Sequence, residues 1–234
     1  MADEQPDVTI LVPALNEERT IREVVQRLIA LPLSKQIIVI NDGSTDSTLK
    51  VLKEFGDQII ILSNRTRGGK GRAIRTGLVH AKGKTVVVQD ADLEYAPEQI
   101  PSVVQPLLKG PYRVSFGARF TKGMHPKMAL PNKLVNILLR WAVKVLYGVT
   151  LNDEATCYKA FERRLIMDME LSCERFEFCP EVTAKAIRLG EPIHEVPISY
   201  EPRNMKEGKK IRWTDAPEAF WTLLKFRFWK PTKR

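Results

Sequence analysis

The chain has 234 residues with a hydrophobic fraction of 44%, which is enough apolar sequence for a full core and excludes a largely disordered protein. The formal net charge of +9 predicts an anionic partner, such as a phosphorylated ligand, a nucleic acid or a lipid surface. The three cysteines lack the paired spacing of a disulfide framework or a zinc site, which favours a reducing compartment. Because neither a signal peptide nor a membrane-spanning stretch is visible, we expect a soluble protein, one on a membrane surface, or one whose spanning part lies outside this sequence.

The first half of the chain alternates short apolar segments with amphipathic segments of helical spacing. Apolar runs predict strands at residues 8–12, 36–40, 59–62, 84–89 and 113–116. Helical patterns follow at residues 21–29, 48–55, 73–80 and 97–108. Strands that are almost continuously apolar are typical of a parallel sheet covered on both faces. We therefore predict an α/β fold with a mostly parallel central sheet flanked by helices.

Two aspartates follow the fourth predicted strand directly, in the sequence Asp90-Ala91-Asp92. Carboxylate oxygens suit hard divalent cations, and Mg²⁺ typically takes one or two protein carboxylates together with substrate phosphates. In open parallel sheets, ligands bind beyond the carboxyl ends of the strands. The polar residues predicted to follow strands are Asn16, Asp42, Lys70, Asp90, Asp92 and Arg119. Their convergence predicts a site for a metal ion and a diphosphate at this edge of the sheet.

Two segments of the second half point to an apolar surface. Residues 134–147 form a helical pattern that is apolar almost all round, so this helix is predicted to be buried or to lie at an interface. Residues 219–231 mix aromatic and cationic side chains, which is typical of an amphipathic segment in a lipid headgroup layer. A terminal helix docked on the core is the alternative for that segment.

The remaining part of the second half contains less regular patterns. Residues 152–159 read as a polar turn, 180–189 as a helix and 193–200 as a strand. The strongly basic stretch 203–212 is either an anion-binding loop or a solvated run of charge. No linker or repeat separates the two halves, so we predict a single domain over residues 1–234.

Several motifs occur in a fixed order along the chain. They are Val12-Pro13-Ala14-Leu15-Asn16-Glu17, Ile40-Asn41-Asp42-Gly43-Ser44, Gly69-Lys70-Gly71-Arg72-Ala73, Gln89-Asp90-Ala91-Asp92 and Glu195-Val196-Pro197-Ile198-Ser199-Tyr200. In this order they resemble the family 2 inverting glycosyltransferases of GT-A fold, a Rossmann-like fold for nucleotide-diphospho-sugar transferases. Within that family the chain resembles the polyprenyl or dolichyl phosphate mannose and glucose synthases.

The resemblance implies roles for residues at the matching positions. Residues 1–120 would form a nucleotide-sugar-binding half and residues 121–234 an acceptor-binding half. The nucleotide-binding residues would be Pro13, Leu15, Glu17, Asp42, Lys70, Gln89, Asp90, Ala91, Asp92, Arg203 and Lys209, the last two with Lys210 in a loop that closes over the diphosphate. Asp90, Asp92 and Glu94 would hold Mg²⁺ or Mn²⁺. Arg119, Arg140 and Asp153 would bind the acceptor, with Arg119 and Asp153 as the catalytic pair.

The resemblance also implies substrates and a location. The donor would be a nucleotide-diphosphate sugar, with GDP-mannose favoured, and the acceptor a polyprenyl or dolichyl phosphate. The protein would lie peripherally on an anionic membrane surface at its cytoplasmic face, without a nucleic-acid partner. An ionised lipid phosphate needs no strong general base, whereas a sugar hydroxyl acceptor would need one, and Asp153 is then the candidate.

Other functions fit parts of the same pattern. A transferase that uses a UDP-sugar such as UDP-glucose is the nearest alternative. A module that binds a nucleotide sugar or a nucleic acid without catalysis is a second, although the chain shows no nucleic-acid fold signature. A nucleotidyltransferase would usually carry a Gly-rich loop after the first strand, where this chain has Pro13-Ala14-Leu15-Asn16-Glu17.

Overall fold

The computed structural model of the protein describes residues 5–121, 123–202 and 213–231. The strands within these ranges are β1 (Val8–Ala14), β2 (Lys35–Asn41), β3 (Ile60–Ser63), β4 (Thr85–Val88), β5 (Val114–Ala118), β6 (Lys159–Glu162) and β7 (Ile193–Pro197). The helices are α1 (Ile21–Ile29), α2 (Thr48–Lys53), α3 (Lys70–Leu78), α4 (Ile100–Leu108), α5 (Leu130–Tyr147), α6 (Arg163–Asp168), α7 (Phe178–Arg188) and α8 (Ala216–Phe226).

The strands form one sheet in the order β3-β2-β1-β4-β6-β5-β7. Neighbouring strands run parallel from β3 through β2 and β1 to β4, and β5 runs parallel to β7. β6 lies between β4 and β5 and is antiparallel to both. The predicted α/β fold with a mostly parallel central sheet is therefore confirmed.

Both faces of the sheet are covered by a hydrophobic core. In β1, Ile10 and Val12 pack on one face with residues of α1 and α4, whereas Leu11 packs on the other face with residues of α3, α5 and α7. These side chains are fully buried. Burial on both faces explains why the parallel strands read as continuous apolar runs rather than as alternating ones.

The antiparallel strand β6 was not predicted, and its first residue was assigned to the polar turn at 152–159. Its charged first residue, Lys159, is fully buried. The ammonium group donates hydrogen bonds to Glu154 O at 2.8 Å and Thr183 Oγ1 at 3.2 Å, and lies 3.4 Å from the centroid of the Phe116 ring. Burial lowers the pKa of Lys159. A four-residue strand with a charged residue at each end shows no apolar run in the sequence. It is identified only by its pairing with β4 and β5.

α3 begins at Lys70, three residues before the predicted helix at 73–80. Its first N–H groups are satisfied by a distant loop rather than by a local capping side chain. Gly71 N donates to Arg175 O and Arg72 N to Glu174 O, each at 2.9 Å. Because this cap comes from a segment about a hundred residues away, the local sequence carries no start signal for α3.

α5 has two apolar faces, as its composition predicted. Leu139, Ala142 and Val143 are buried against the core, while the opposite face exposes large apolar side chains. Those exposed on α5 are Leu130, Leu134, Ile137, Leu138, Trp141 and Val145. Within the described ranges, neither α5 nor any other helix has the length and apolar content needed to cross a membrane.

Candidate active site

A cavity of about 770 Å³ opens at the carboxyl edge of the sheet, where β1, β2, β4 and β5 end. The sequence predicted that polar residues would meet at this edge. The predicted site residues that line the cavity are Pro13, Leu15, Glu17, Asp42, Lys70, Asp90, Ala91, Asp92, Glu94 and Arg119. The structure thus brings most of the predicted residues to one place.

The other predicted residues either do not line the cavity or fall outside the described ranges. Gln89 is fully buried; its Nε2 donates to Asp90 O at 2.9 Å, and its Oε1 accepts from the Tyr158 hydroxyl. Arg140 donates from Nε to Leu151 O at 3.1 Å. Asp153 is fully buried. Arg203, Lys209 and Lys210 lie outside the residues that the structure describes.

Asp42 organises the Gly-rich loop that precedes α3. Its carboxylate accepts hydrogen bonds from Asn64 Nδ2 at 2.8 Å, Gly68 N at 3.0 Å and Gly69 N at 2.7 Å. Gly69 adopts a φ of +96°, which a residue with a side chain rarely does. The strand-end aspartate therefore fixes the loop that leads into Lys70.

Lys70 and Asp90 form a largely buried ion pair on the cavity wall. The Lys70 ammonium also donates to Cys157 Sγ at 3.0 Å. Burial alone would lower the pKa of Lys70, but the Asp90 carboxylate raises it well above its ordinary value. A fixed positive charge consequently lies beside Asp90 at the end of β4.

The donor set at the end of β4 fits a magnesium or manganese ion that shares its coordination with a ligand. Among the described residues, no three histidine, cysteine, aspartate or glutamate side chains form a complete metal site. Asp92 Oδ1 accepts from Glu94 N at 3.1 Å, and Glu94 Oε2 accepts from the Tyr200 hydroxyl at 3.1 Å. Asp90 and Asp92 offer oxygen ligands on the cavity wall, and a bound diphosphate and water would supply the rest.

Arg119 is held rigidly by Asp153 at the end of β5. Its Nε donates to Asp153 Oδ2 at 2.7 Å, its Nη2 to Oδ1 at 2.8 Å, and its backbone N to Oδ2 at 2.9 Å. The guanidinium lies 4.7 Å from the Phe120 ring centroid and 4.9 Å from that of Tyr200. Burial alone would lower the pKa of Arg119, but Asp153 raises it well above its ordinary value. Both oxygens of Asp153 are thus occupied by Arg119.

The sequence analysis missed Glu154 as a site residue. Glu154 lines the cavity, yet it is only 1% exposed. Its carboxylate oxygens are buried, and the side chains of Thr183 and Lys159 are among its neighbours. The only local signal was its place beside Asp153 in the segment read as a polar turn, because its burial depends on the unpredicted strand β6.

Residues 9–168 match the family model described as "Glycosyl transferase family 2". That range covers more than half of the chain, and the cavity lies where the motifs of that family predict it. The chain belongs to glycosyl transferase family 2. The prediction of the family is therefore confirmed.

This family 2 glycosyltransferase is similar to proteins with named substrates. It is 29% identical over 227 residues to UDP-N-acetylglucosamine--dolichyl-phosphate N-acetylglucosaminyltransferase of Methanococcus voltae, covering 87% of this chain and 90% of that protein. It is 30% identical over 212 residues to undecaprenyl-phosphate 4-deoxy-4-formamido-L-arabinose transferase of Pseudomonas fluorescens. That match covers 86% of this chain but only 59% of the Pseudomonas protein, so the chain spans less than two thirds of that relative.

The fold of the glycosyltransferase is also similar to solved structures. Glucosyl-3-phosphoglycerate synthase from Mycobacterium tuberculosis, in complex with Mn²⁺, UDP and phosphoglyceric acid, superposes with a TM-score of 0.74. The match covers 95% of this chain and 79% of that one, at 23% sequence identity. At this identity the likeness concerns the fold alone, and it agrees with the predicted GT-A fold.

Proposed function

We propose that this protein transfers a sugar from a nucleotide-diphosphate donor to a polyprenyl phosphate at a membrane surface. The observation that carries the proposal is the Arg119–Asp153 pair. It fixes a guanidinium on the wall of the same cavity that contains Asp90, Asp92 and Lys70. The cavity therefore offers one group of charges for a donor diphosphate and a separate cation for an anionic acceptor.

On the donor side, Asp90 and Asp92 would hold Mg²⁺ or Mn²⁺. When bound, the metal would neutralise charge that develops on the departing nucleoside diphosphate. Lys70 adds a fixed positive charge close to the same group, which favours the charged leaving state. The residues expected to surround the nucleotide are Pro13, Leu15, Glu17, Asp42, Gln89 and Ala91, with Arg203 and Lys209 closing over the diphosphate.

On the acceptor side, a lipid phosphate would attack the anomeric carbon from the face opposite the leaving group and invert it. Its second pKa is about 6 by analogy with phosphorylated side chains, so most of it is ionised at neutral pH and needs no strong base. Arg119 would position it by charge-assisted hydrogen bonds, with Arg140 a second candidate. Because Arg119 occupies both oxygens of Asp153, that carboxylate acts as a positioning group, which supports a phosphate over a hydroxyl acceptor.

An apolar wall supports a lipid as the rest of the acceptor. Met128, Val135 and Leu139 line the cavity from α5 and the segment before it, and Ala219 lines it from α8. α8 exposes the side chains of Trp221 and Leu224. α8 is in contact with α5, which also exposes large apolar side chains. These two helices would rest on the cytoplasmic face of an anionic membrane and lead the lipid chain towards the cavity.

Relatives support the acceptor class but leave two donor classes. The names of the Methanococcus and Pseudomonas proteins each include a polyprenyl phosphate. The motif pattern favours GDP-mannose as the donor. A UDP-sugar is the second candidate, because the Methanococcus protein's name includes UDP-N-acetylglucosamine and the Mycobacterium structure contains UDP.

The decisive experiment incubates the protein with a short polyprenyl phosphate, Mg²⁺ or Mn²⁺, and one donor at a time: GDP-mannose, UDP-glucose or UDP-N-acetylglucosamine. We expect glycolipid from one donor, none after the metal is chelated, and none with the matching polyprenol that lacks a phosphate. Equal product from the polyprenol would contradict a phosphate acceptor. Tight donor binding without product from any of these acceptors would instead support a non-catalytic binding module.

A further inference from the structure

The two halves of the proposed site lie at the ends of strands that are not neighbours in the sheet. Asp90 and Asp92, which are proposed to hold the metal ion, follow β4, whereas Arg119 follows β5. β6 lies between these strands and pairs with both. Transfer needs the reacting atoms of the two substrates about 3–3.5 Å apart and in line. Contacts beyond the direct pairing of strands must therefore set the distance between the two halves.

Tyr200 contacts both halves, one through its hydroxyl group and the other through its ring. It follows β7, which pairs in parallel with β5. Its hydroxyl donates a hydrogen bond of 3.1 Å to Glu94 Oε2, in the loop that follows β4. The Arg119 guanidinium lies over its ring, 4.9 Å from the centroid. One side chain thus joins the loop on the donor side to the proposed acceptor cation.

A buried cluster holds Tyr200 in this position. Tyr200 is 7% exposed and Glu94 is 9% exposed. Glu201 N donates to Glu94 O at 3.0 Å, so the backbone after β7 is bound to the same loop. The Tyr95 ring packs against Tyr200 with 5.4 Å between centroids, and the Tyr95 hydroxyl accepts from Cys157 N at 3.2 Å. A close-packed ring with partners on several sides has a defined orientation.

Glu94 connects Tyr200 to the metal-binding aspartates of the proposed site. Glu94 N donates to Asp92 Oδ1 at 3.1 Å, and Glu94 Oε2 accepts from Tyr200. The contacts therefore run without a break from Asp92 through Glu94 and Tyr200 to Arg119. All four residues line the cavity.

We propose that Tyr200 is a positioning residue that aligns the metal–diphosphate group with the acceptor phosphate. This inference rests on the proposed function, because it requires both substrates in the cavity. Each substrate keeps its own charged ligands when the tyrosine hydroxyl is removed, so binding should change little. The rate should change more, since a misplacement of about 1 Å can lower it about a hundredfold.

The test measures steady-state kinetics of Tyr200→Phe, which keeps the ring and removes the hydroxyl group. We expect kcat to fall about ten- to a hundredfold, while the KM for the donor and the KM for polyprenyl phosphate each stay within about threefold. The matched control is Tyr112→Phe, because Tyr112 packs against His194 outside the cavity and should leave kcat unchanged. A folded Tyr200→Phe variant with the kcat of the wild type would overturn the inference.

Variants of Glu94 test whether the hydroxyl group acts through this carboxylate. Glu94→Gln keeps a side-chain oxygen that can accept from Tyr200, so its kcat should stay within about threefold of the wild type. Glu94→Met removes that acceptor and should lower kcat at least as much as Tyr200→Phe does.

Combining Glu94→Met with Tyr200→Phe should lower kcat no further than Glu94→Met alone, because both changes break the same contact. Losses that multiply in the double variant would contradict action through Glu94. The double variant also removes both partners of one buried hydrogen bond, which costs less stability than removing one of them. It therefore keeps the test valid if a single variant does not fold.

Two further results would overturn the inference in different ways. Full recovery of kcat in Tyr200→Phe at a higher concentration of Mg²⁺ or Mn²⁺ would show that the hydroxyl group only supports metal binding. A higher KM for polyprenyl phosphate at unchanged kcat would make Tyr200 an acceptor-binding residue. Failure of the proposed function is distinct, because the wild type then forms no glycolipid from any donor, whereas failure of this inference leaves wild-type transfer intact.

Discussion

Arg119 combines a permanent charge with a single orientation, and both properties come from its partners. Its side chain is 7% exposed, and the Asp153 carboxylate matches the guanidinium with two parallel hydrogen bonds. A bidentate pair fixes the plane of the guanidinium as well as its position. Lysine could keep the charge here but could not reproduce that geometry.

Replacing Arg119 by lysine should separate acceptor binding from donor binding. We expect Arg119→Lys to raise the KM for polyprenyl phosphate by about ten- to a hundredfold, because a charged hydrogen-bond pair to the phosphate is lost. The KM for the nucleotide sugar should change little. Steady-state kinetics with each substrate varied in turn measures both values. Equal increases in the two constants would show that Arg119 is not specific to the acceptor.

Replacing Asp153 by asparagine tests the role of the carboxylate behind Arg119. Removing one partner of a buried ion pair typically costs about 3–5 kcal/mol, so the melting temperature of Asp153→Asn should fall clearly. Turnover with a lipid phosphate should persist at a reduced rate. Near-total loss of turnover in a variant that remains folded and binds the donor would favour a hydroxyl acceptor with Asp153 as its base.

The sequence located the residues that follow strands better than those that depend on distant packing. Asp42, Asp90 and Arg119 each follow an apolar run directly, and the ends of parallel strands meet at one edge whatever the details of packing. The bidentate contact of Asp153 and the burial of Glu154 depend instead on where β6 inserts. No local pattern predicted that strand, because it begins with the charged residue Lys159 and is only four residues long.

At the level of elements, the N-terminus of α3 is positioned by the loop at residues 172–177. Loop carbonyls accept the first N–H groups of α3, and the loop itself is held by Glu181 on α7. Glu181 accepts from Ser172 N at 2.8 Å, Cys173 N at 2.7 Å and Lys185 Nζ at 2.6 Å. The position of Lys70 therefore depends on a carboxylate of another helix.

Gly71 allows α3 to approach this loop closely. A Cβ at Gly71 would lie 2.8 Å from the carbonyl carbon of Cys173, which belongs to the backbone and cannot move aside easily. We expect Gly71→Ala to lower the free energy of unfolding by about 1–3 kcal/mol and to weaken donor binding by displacing Lys70. Urea unfolding and calorimetry measure the two effects. The matched control is Thr76→Ala, because the Thr76 hydroxyl donates a hydrogen bond to Arg72 O within α3 rather than to the loop. Similar losses of stability and donor affinity in both variants would contradict a role for the loop contact.

The hydrogen bonds that Glu181 accepts should also make the free energy of unfolding depend on pH. Burial alone would raise the pKa of Glu181, but the hydrogen bonds from Lys185 and Ser172 hold it below its ordinary value. A carboxylate with a lowered pKa stabilises the fold above the unfolded pKa of about 4.3, and that contribution is lost as the pH falls through the lowered value. Unfolding free energies of Glu181→Gln should therefore be lower than wild type at pH 7 and should fall less steeply below about pH 4. Parallel curves for the two proteins would contradict this.

At the scale of the whole molecule, most of the exposed large apolar side chains in the described ranges lie on two neighbouring helices, α5 and α8. Trp141 on α5 is 62% exposed and Trp221 on α8 is 63% exposed. Contiguous exposed apolar surface usually marks an interaction site. Cationic residues on or beside the same helices include Lys133, Lys144, Lys225, Arg227 and Lys230. The combination suits a surface that presents both anionic headgroups and an acyl layer.

Vesicle binding tests this surface directly. We expect the double variant Trp141→Ser, Trp221→Ser to bind vesicles that contain anionic phospholipid about tenfold more weakly, because two large apolar side chains no longer enter the membrane. High salt should weaken the wild type as well, since it screens the cationic residues. Val79→Ser is the control, because Val79 is 75% exposed at the end of α3. Equal loss in the control, or no loss in the double variant, would count against docking through α5 and α8.

The late position of β6 in the chain has a consequence for folding kinetics. β6 pairs with β4 and β5, although it follows both of them in sequence, and β7 completes the sheet beyond β5. During synthesis, the inner edges of β4 and β5 stay without their antiparallel partner until β6 has emerged. Pairing over such sequence separations requires a long loop to close and is intrinsically slow. An emerging chain therefore exposes strand edges that favour aggregation until the middle of the sheet is filled.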